Sequence, residues 1–255
     1  MNNYKLGRLP VKNDARNLKL ASYLPRTPLP RPNRRIWSSA VKEWLMLGND
    51  KYGDCTCAGI LHMLMLWKAQ NSIQVCVNES DALSIYHEVT GFNPNDPSTD
   101  NGAHEIDVLN YCRQNIICGS KIVSAYVSID VRTPKVTIEQ ICQAINLFGG
   151  IYIGADMYQS AMDEFAGGFA WKRTTCTGAF KGGHAFAIID YDDNRQIFTC
   201  ITWGVPHEIT YAWALAFIKE GYAIYSPSWL NNNGVAPSGF NETQLIQDLN
   251  EVTKD

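Results

Sequence analysis

The sequence predicts an α+β fold with a helical first half and a strand-rich second half. Between residues 55 and 116, apolar residues recur at helical spacing with few breaks. Between residues 121 and 230, short apolar runs typical of strands dominate. The chain has 255 residues, of which 45% are hydrophobic and 18% charged, which suits one two-lobed domain with a full core.

The first segment, residues 1–36, is predicted to be an extended, proline-rich arm, since proline prevents a continuous helix. Its prolines are Pro10, Pro25, Pro28, Pro30 and Pro32. Its basic cluster comprises Arg26, Arg31, Arg34 and Arg35, which we interpret as part of a solvated linker. Three roles are open for the arm: it blocks a cleft, braces the domain or binds a partner.

The helical half is predicted over residues 37–120. Loop signals, Gly-Asn-Asp and Tyr-Gly-Asp, come before a long buried helix that begins at Cys55 and reads CTCAGILHMLMLWKAQN. Two more helices fit ESDALSIYHEVTG and AHEIDVLNYCRQNI, with a loop rich in Asn, Pro and Asp between them. A cysteine is therefore expected at the N-terminus of the central helix.

The strand-rich half is predicted over residues 121–230. Strands fit KIVSAYVSID, IYIGADMY, HAFAIIDYD, QIFTCITWG and YAIYSPSW. Helices fit TIEQICQAINLFG, which two glycines end, and TYAWALAFIKEG. Residues 231–255 are polar and then weakly helical, and we interpret them as a tail.

Composition and charge argue against some classes of partner and location. The net charge is -3 and the pI near 6.0, so neither nucleic acid nor an anionic membrane is an expected partner. We expect no signal peptide and no transmembrane segment, because the longest apolar run is too short. The eight cysteines form no CxxC pair. These features predict a cytoplasmic protein with most or all thiols free.

Cys55 is the candidate nucleophile. A helix N-terminus favours the thiolate, and a nearby imidazole would take part in proton transfer. An oxyanion would need the Cys55 backbone N–H and a side-chain donor, for which Asn49, six residues upstream, is the candidate. The alternatives stay open: Cys55 as a buried structural thiol, His184 as a packed strand histidine, and Asn49 as a turn former. Cys57 is the fallback nucleophile.

Two stretches of the sequence resemble the papain family of cysteine peptidases. NDKYGDC is similar to the loop that carries the family's oxyanion-hole glutamine and its Gly-x-Cys nucleophile, which places Asn49, Gly53 and Cys55 on those positions. GGHAFAIIDYDD is similar to the family's catalytic-histidine stretch, which places His184 on the base. Three further stretches resemble segments of the family and occur in the family's order along the chain: TDNGAHEIDVLNYCRQNII, TIEQICQAINLFGGIYIGAD and TWG.

The resemblance covers roughly residues 37–226. It implies a papain-like two-lobed fold, with a helical lobe at 37–120, an antiparallel β lobe at 121–230 and the nucleophile at the start of the central helix. It also implies a peptide or protein substrate and no metal or organic cofactor. The histidines elsewhere match no zinc template; they are His62, His87, His104 and His207.

Some positions depart from the family's pattern. Ile201 stands where the family has the asparagine that orients the histidine, so that orientation is lost or comes from a carbonyl, a water or another side chain. Trp203, which shields that contact in the family, is present. Thr56 replaces the usual tryptophan, Tyr52 replaces a disulfide cysteine, and Asn49 is one methylene shorter than glutamine.

Three functions fit these residues. The first is a cysteine-dependent peptidase or amide hydrolase that works through a Cys-His dyad and a thioester. The second is a catalytically weak or inactive scaffold with a binding or structural role. The order of YGDC, GGHAFAIIDYDD and TWG resembles that of phage and prophage proteins, which implies a virion-associated protein. In this role the arm would bind a virion or protein partner. The third is an acyl transferase of transglutaminase type, because a Cys-His pair does not distinguish water from an amine acceptor.

Overall fold

The computed structural model describes residues 4–12, 14, 17–22, 30–74, 76–175, 177–231 and 234–237. Helices dominate its first half and one antiparallel sheet dominates its second half, so the predicted α+β class is confirmed. Most of the predicted tail, together with Arg26 and Cys176, lies outside the described residues.

The helices of the described residues divide between the two halves. They are α1 (Cys55–Gln70), α2 (Glu79–Thr90), α3 (Glu105–Gln114), α4 (Pro134–Phe148), α5 (Gln159–Ala166) and α6 (Tyr211–Phe217). Short 3₁₀ turns cover Leu20–Ser22, Ser38–Ala40, Pro97–Thr99 and Pro227–Trp229. Asn78 and Asp81 form a reciprocal capping box at the start of α2, which satisfies backbone N–H groups there.

The sheet has seven strands in the described part of the chain, all paired antiparallel. They are β1 (Arg34–Arg35), β2 (Ala125–Ser128), β3 (Ile151–Tyr158), β4 (Phe180–Asp192), β5 (Ile197–Thr202), β6 (Val205–Thr210) and β7 (Ile218–Tyr225). The spatial order is β2-β7-β3-β4-β5-β6, and β1 pairs with the far end of β4. The long strand β4 therefore lies near the centre, where α1 contacts it.

Helix α1 is the central element of the core. Every residue from Cys55 to Lys68 is buried, as expected for a helix that is apolar around its whole circumference. The Tyr152 hydroxyl of β3 donates to the Thr56 carbonyl oxygen at 2.8 Å, and the Trp67 indole donates to the Phe148 carbonyl at 2.9 Å. These two bonds tie both ends of the helix to the second half of the molecule.

The boundary between α6 and β7 differs from the sequence prediction. The helix predicted over TYAWALAFIKEG ends at Phe217, because Ile218–Tyr225 pairs as β7 with both β2 and β3. Long-range strand pairing outweighs the helical periodicity of those residues. The sequence prediction also missed α5 and β6, which are short, with eight and six residues.

The interpretation of the basic cluster as a solvated linker is wrong for two of its arginines. Arg31 forms ion pairs with Glu139 of α4 at 2.9 Å and with Asp193 at 2.6 Å. Arg35 donates to Asn146 Oδ1 and stacks over the Trp37 ring. This end of the arm is fixed to the domain.

Other expectations concern thiols, metals and membranes. All seven cysteines that the structure describes are free thiols. Among the described residues, no group of three or more His, Cys, Asp or Glu side chains is arranged to hold a metal ion. In the same residues no helix is long and apolar enough to cross a membrane.

Candidate active site

Cys55 is the first residue of α1, as the sequence predicts, and its side chain is fully buried. Its sulfur accepts a hydrogen bond from the Ala185 N–H of β4 at 3.4 Å. The thiol thus lies against the strand backbone at the residue that follows His184.

His184 lies on β4, fully buried, and its Nε2 is 2.7 Å from the Thr202 hydroxyl oxygen. The other ring nitrogen, Nδ1, is buried and has no hydrogen-bond partner among the described residues. Ile201, the residue at the family's orienting position, is buried beside Ala187 in the β4–β5 ladder. The group that contacts the imidazole is therefore the neighbouring residue, Thr202, which the sequence reasoning missed.

Trp203 covers the imidazole. The two rings are stacked, with centroids 4.3 Å apart and an interplanar angle of 15°. Trp203 and Gly204 form the two-residue turn between β5 and β6, both with positive φ, 44° and 72°. A tryptophan in the left-handed region is unusual, and the turn holds its ring over His184.

Asn49 and Gly53 lie in the loop before Cys55. The Asn49 side chain is almost fully buried and donates to the carbonyl oxygens of Tyr52 and Lys5, at 3.2 and 3.4 Å. The Gly53 N–H donates to Asp100 Oδ1 at 2.9 Å. The Asn49 amide, the predicted oxyanion donor, thus lies in the loop before Cys55 and donates to one carbonyl of that loop and one of the N-terminal arm.

Arm residues 4–9 pack over the segments that flank Cys55 and His184. The N–H groups of Gly7 and Arg8 donate to the Gly183 carbonyl at 3.2 and 3.0 Å. Leu9 N–H donates to the Ala103 carbonyl, and Ala103 N–H donates back to the Gly7 carbonyl, both at 2.9 Å. The arm therefore forms a bridge of main-chain hydrogen bonds between the loop before α3 and strand β4.

The start of the arm closes the other side of the site. The Lys5 carbonyl accepts hydrogen bonds from the Trp203 indole at 3.1 Å and from Asn49, and the Lys5 N–H donates to the Asn49 carbonyl. Tyr4 packs against the Trp203 and Phe165 rings. Gly7 sits so close to Gly53 that a methyl group at residue 7 would overlap the Gly53 carbonyl.

The pKa values of Cys55 and His184 differ from the expectation that the helix N-terminus lowers the thiol pKa. Burial raises the pKa of Cys55 to about 12, which the Ala185 N–H opposes. Burial, followed by the positive charge of Arg8, lowers the pKa of His184 to about 3. In this state desolvation outweighs the helix N-terminus, so both groups are neutral near pH 7. Burial also raises the pKa of Asp54, which comes directly before the nucleophile, well above its usual value.

The remaining candidates lie apart from this chemistry. Cys57 is fully buried in α1, and its pKa is raised by burial. Four histidines are dispersed: His62 contacts the Leu45 carbonyl, His87 the Phe92 carbonyl and His104 the Pro10 carbonyl, and His207 packs against Trp171.

Comparison with solved structures defines the class of fold. Xylellain, a cysteine protease from Xylella fastidiosa, matches with a TM-score of 0.66 and 12% identity over 88% of this chain and 97% of its own. Procathepsin L2 from Tenebrio molitor larval midgut matches with a TM-score of 0.59 and 16% identity over 88% and 79%. The protease and lectin-like domains of Cwp84 from Clostridium difficile match with a TM-score of 0.58 and 11% identity over 88% and 57%.

The chain therefore has the two-lobed fold of the papain-like cysteine proteases. No family model and no curated protein sequence matches it. At these identities the likeness defines the fold, and the function has to be argued from the site.

Proposed function

We propose that this protein is a cysteine-dependent peptidase or amide hydrolase that uses Cys55 and His184, and that arm residues 4–9 cover its site in the state described above. The observation that carries the proposal is the convergence of α1 and β4. The Ala185 N–H contacts the Cys55 sulfur, and the imidazole of the preceding residue is held by Thr202. Papain-like proteases are also the structural neighbours.

The mechanism follows from the proton positions that these contacts allow. If His184 Nε2–H donates to the Thr202 hydroxyl, Nδ1 is the ring nitrogen without a hydrogen-bond partner in the covered state, and it accepts the Cys55 thiol proton once the site opens. The thiolate attacks an amide carbonyl, and the Cys55 N–H and the Asn49 amide donate to the oxyanion. The imidazolium then protonates the departing amine, and water hydrolyses the thioester.

The docking of the arm supports a peptide as the substrate. Its main chain uses groups of the cleft that any extended peptide would use: both polar groups of Ala103, the Gly183 carbonyl and the Trp203 indole. These groups recognise backbone rather than a particular side chain. A cleft with this pattern suits an extended peptide or protein segment.

The test opens the cleft in the full-length chain with Gly7→Ala, since the added methyl group would overlap the Gly53 carbonyl. We expect Gly7→Ala to release new α-amino groups from denatured casein at least ten times faster than wild type, on the order of 1.4 kcal/mol in the barrier. Lys5→Ala is the control, because the Lys5 side chain is exposed and the arm uses only its backbone. It should behave like wild type.

Adding Cys55→Ala to Gly7→Ala should abolish the release. Release that persists without Cys55, or its absence from a folded Gly7→Ala protein, would contradict the proposal. Running the assay with a primary amine distinguishes hydrolysis from acyl transfer, because a transferase would incorporate the amine into the product.

An inert scaffold is the second candidate. The complete burial of Cys55 and His184, both neutral near pH 7, favours it. In that case the arm is a permanent part of the domain, the protein binds a protein or virion partner, and Gly7→Ala only lowers stability.

A further inference from the structure

Arg8 of the arm fills a pocket lined by carboxyl groups beside the dyad. Its guanidinium is 2.8 Å from Asp156 Oδ1 and 2.8 Å from Glu220 Oε1, and its side chain is only 3% exposed. Asp156 lies on β3 and Glu220 on β7, so both carboxylates belong to the domain and not to the arm. The Lys219 ammonium, 3.8 Å from Asp156, lies at the exposed rim.

A third carboxyl group, Glu105, lies at the base of this pocket. Glu105 is fully buried, and its oxygens accept no hydrogen bond from the described residues. Burial, followed by the negative charge of Glu220, raises the pKa of Glu105 well above its usual value, and Arg8 opposes this. Glu105 thus interacts with Glu220, the carboxylate that Arg8 pairs with, and its Oε2 and Arg8 Cδ lie on the same side of Gly154.

The space exists because residue 154 is a glycine. A methyl group there would overlap Glu105 Oε2, and it would also meet Arg8 Cδ at 2.5 Å and Glu220 Cγ at 2.8 Å. The Tyr222 hydroxyl donates to Glu220 Oε2 at 2.9 Å and so fixes that carboxylate. The pocket is therefore built by residues of α3, β3 and β7, none of which belongs to the arm.

Departure of the arm removes the guanidinium that, among the described residues, pairs with Asp156 and Glu220. Clustered, desolvated carboxylates repel each other unless a cation pairs with them, and an arginine fork satisfies two at once. The Gly7 backbone lies at Cys55, since its N–H contributes to the environment of the thiol. The Arg8 pocket is thus one residue along the cleft from the nucleophile.

We propose that the pocket formed by Glu105, Asp156 and Glu220 is a specificity pocket for an arginine side chain of the substrate, which Arg8 occupies in the covered state. This inference rests on the proposed function for the reaction itself. The pocket's affinity for a guanidinium does not depend on catalysis and is tested separately.

The binding experiment uses the full-length chain with Gly7→Ala, Arg8→Ala and Cys55→Ala, which opens the cleft, empties the pocket and prevents turnover. Calorimetric titration compares an alanine-based peptide with one central arginine and the same peptide with citrulline, its neutral isostere. We expect the arginine peptide to bind at least tenfold more tightly, and Glu220→Gln to remove most of that difference. Equal affinities would overturn the proposal, whatever the activity.

A second measurement avoids opening the cleft. Arg8→Ala alone leaves the pocket empty, and we expect millimolar ethylguanidinium to raise its Tm, whereas ethylurea should not. Wild type, whose pocket is filled, should show no such rise. An equal response of Arg8→Ala to both compounds would contradict the proposal.

Cleavage by the Gly7→Ala/Arg8→Ala protein then locates the pocket. In peptides that carry one arginine at successive positions, we expect the cut at a fixed distance from that arginine. Cuts unrelated to the arginine would overturn the specificity but leave the peptidase function standing, whereas loss of all cleavage would count against the function alone.

Discussion

The side chain that holds the His184 imidazole is a threonine hydroxyl. Successive residues of a strand face opposite sides of the sheet, so Ile201 and Thr202 of β5 cannot both contact the histidine. Ile201 is buried beside Ala187, and Thr202 Oγ1 lies 2.7 Å from His184 Nε2. The same hydroxyl oxygen can accept a hydrogen bond from the ring N–H and so stabilise the imidazolium that the proposed reaction forms.

We expect Thr202→Val, made in the Gly7→Ala background, to lower kcat by about 10- to 100-fold, because the imidazole loses its orienting contact. The acid limb of the kcat/KM profile should move to lower pH, since the imidazolium loses an acceptor and the His184 pKa falls. Thr202→Ser keeps the hydroxyl and should restore most of the rate. A Thr202→Val enzyme with an unchanged rate and pH profile would show that Thr202 only fills space.

The sequence indicates Cys55 and His184 of the proposed site but not Thr202, for a definite reason. Cys55 could be predicted because a helix start after Tyr-Gly-Asp is a local signal, and His184 because a glycine pair before an apolar strand is another. Thr202 could not, since its role depends on which face of β5 meets β4, and a one-residue change of register reverses that choice. The sequence signal near Thr202 is the TWG stretch, and its resemblance to the family places the orienting residue at position 201.

At the scale of the element, the first turn of α1 is fixed by β3. The Tyr152 hydroxyl, fully buried, donates to the Thr56 carbonyl, one residue from the nucleophile. This bond spans 96 residues of sequence and links the helical half to the sheet. It therefore holds the thiol at a set distance from β4, on which His184 lies.

We predict that Tyr152→Phe lowers the free energy of unfolding by about 1 kcal/mol, the usual net value of one hydrogen bond, and also lowers the turnover of the Gly7→Ala protein. Tyr191→Phe is the matched control, since its hydroxyl donates to the Pro32 carbonyl at the same 2.8 Å but away from the site. Chemical denaturation and peptide assays should show similar destabilisation for both variants and a loss of rate for Tyr152→Phe alone. Equal rates would contradict the positioning role of this bond.

The elements themselves were largely predictable, and their ends were not. Helices α1 and α4 and strand β3 have strong periodic or apolar patterns that indicate their type without tertiary information. Helix α6 ends early because Ile218–Gly221 continues into β7, whose partners β2 and β3 lie more than 50 residues away. Pairing between distant strands leaves no local pattern at the point where a helix stops.

At the scale of the whole molecule, the N-terminal arm joins the two halves across the candidate site. It bonds to the loop before α1 through Asn49, to Ala103 before α3 and to Gly183 on β4. It is anchored by Arg8, which reaches carboxylates of β3 and β7. The prediction of an extended arm left its role open, because main-chain contacts of this kind depend on glycines and carbonyls that carry no side-chain pattern.

The pH dependence of iodoacetamide alkylation, followed for each cysteine by mass spectrometry, shows whether the arm covers Cys55 and whether His184 activates it. Only the thiolate reacts, so a Cys55 pKa near 12 keeps this thiol slow through pH 9, even where the exposed Cys76 reacts. Opening the arm with Gly7→Ala removes the burial that raises the pKa. Cys55 should then react faster than Cys76 near pH 7, and Gly7→Ala/His184→Ala should lose that advantage.

We expect three results together: Cys55 reacts slowly in wild type, fast in Gly7→Ala, and slowly again in Gly7→Ala/His184→Ala. If wild-type Cys55 reacts as fast as Cys76, the arm does not cover the site. If Cys55 stays slow in a folded Gly7→Ala protein, or is fast without His184, the two residues do not act as a catalytic pair.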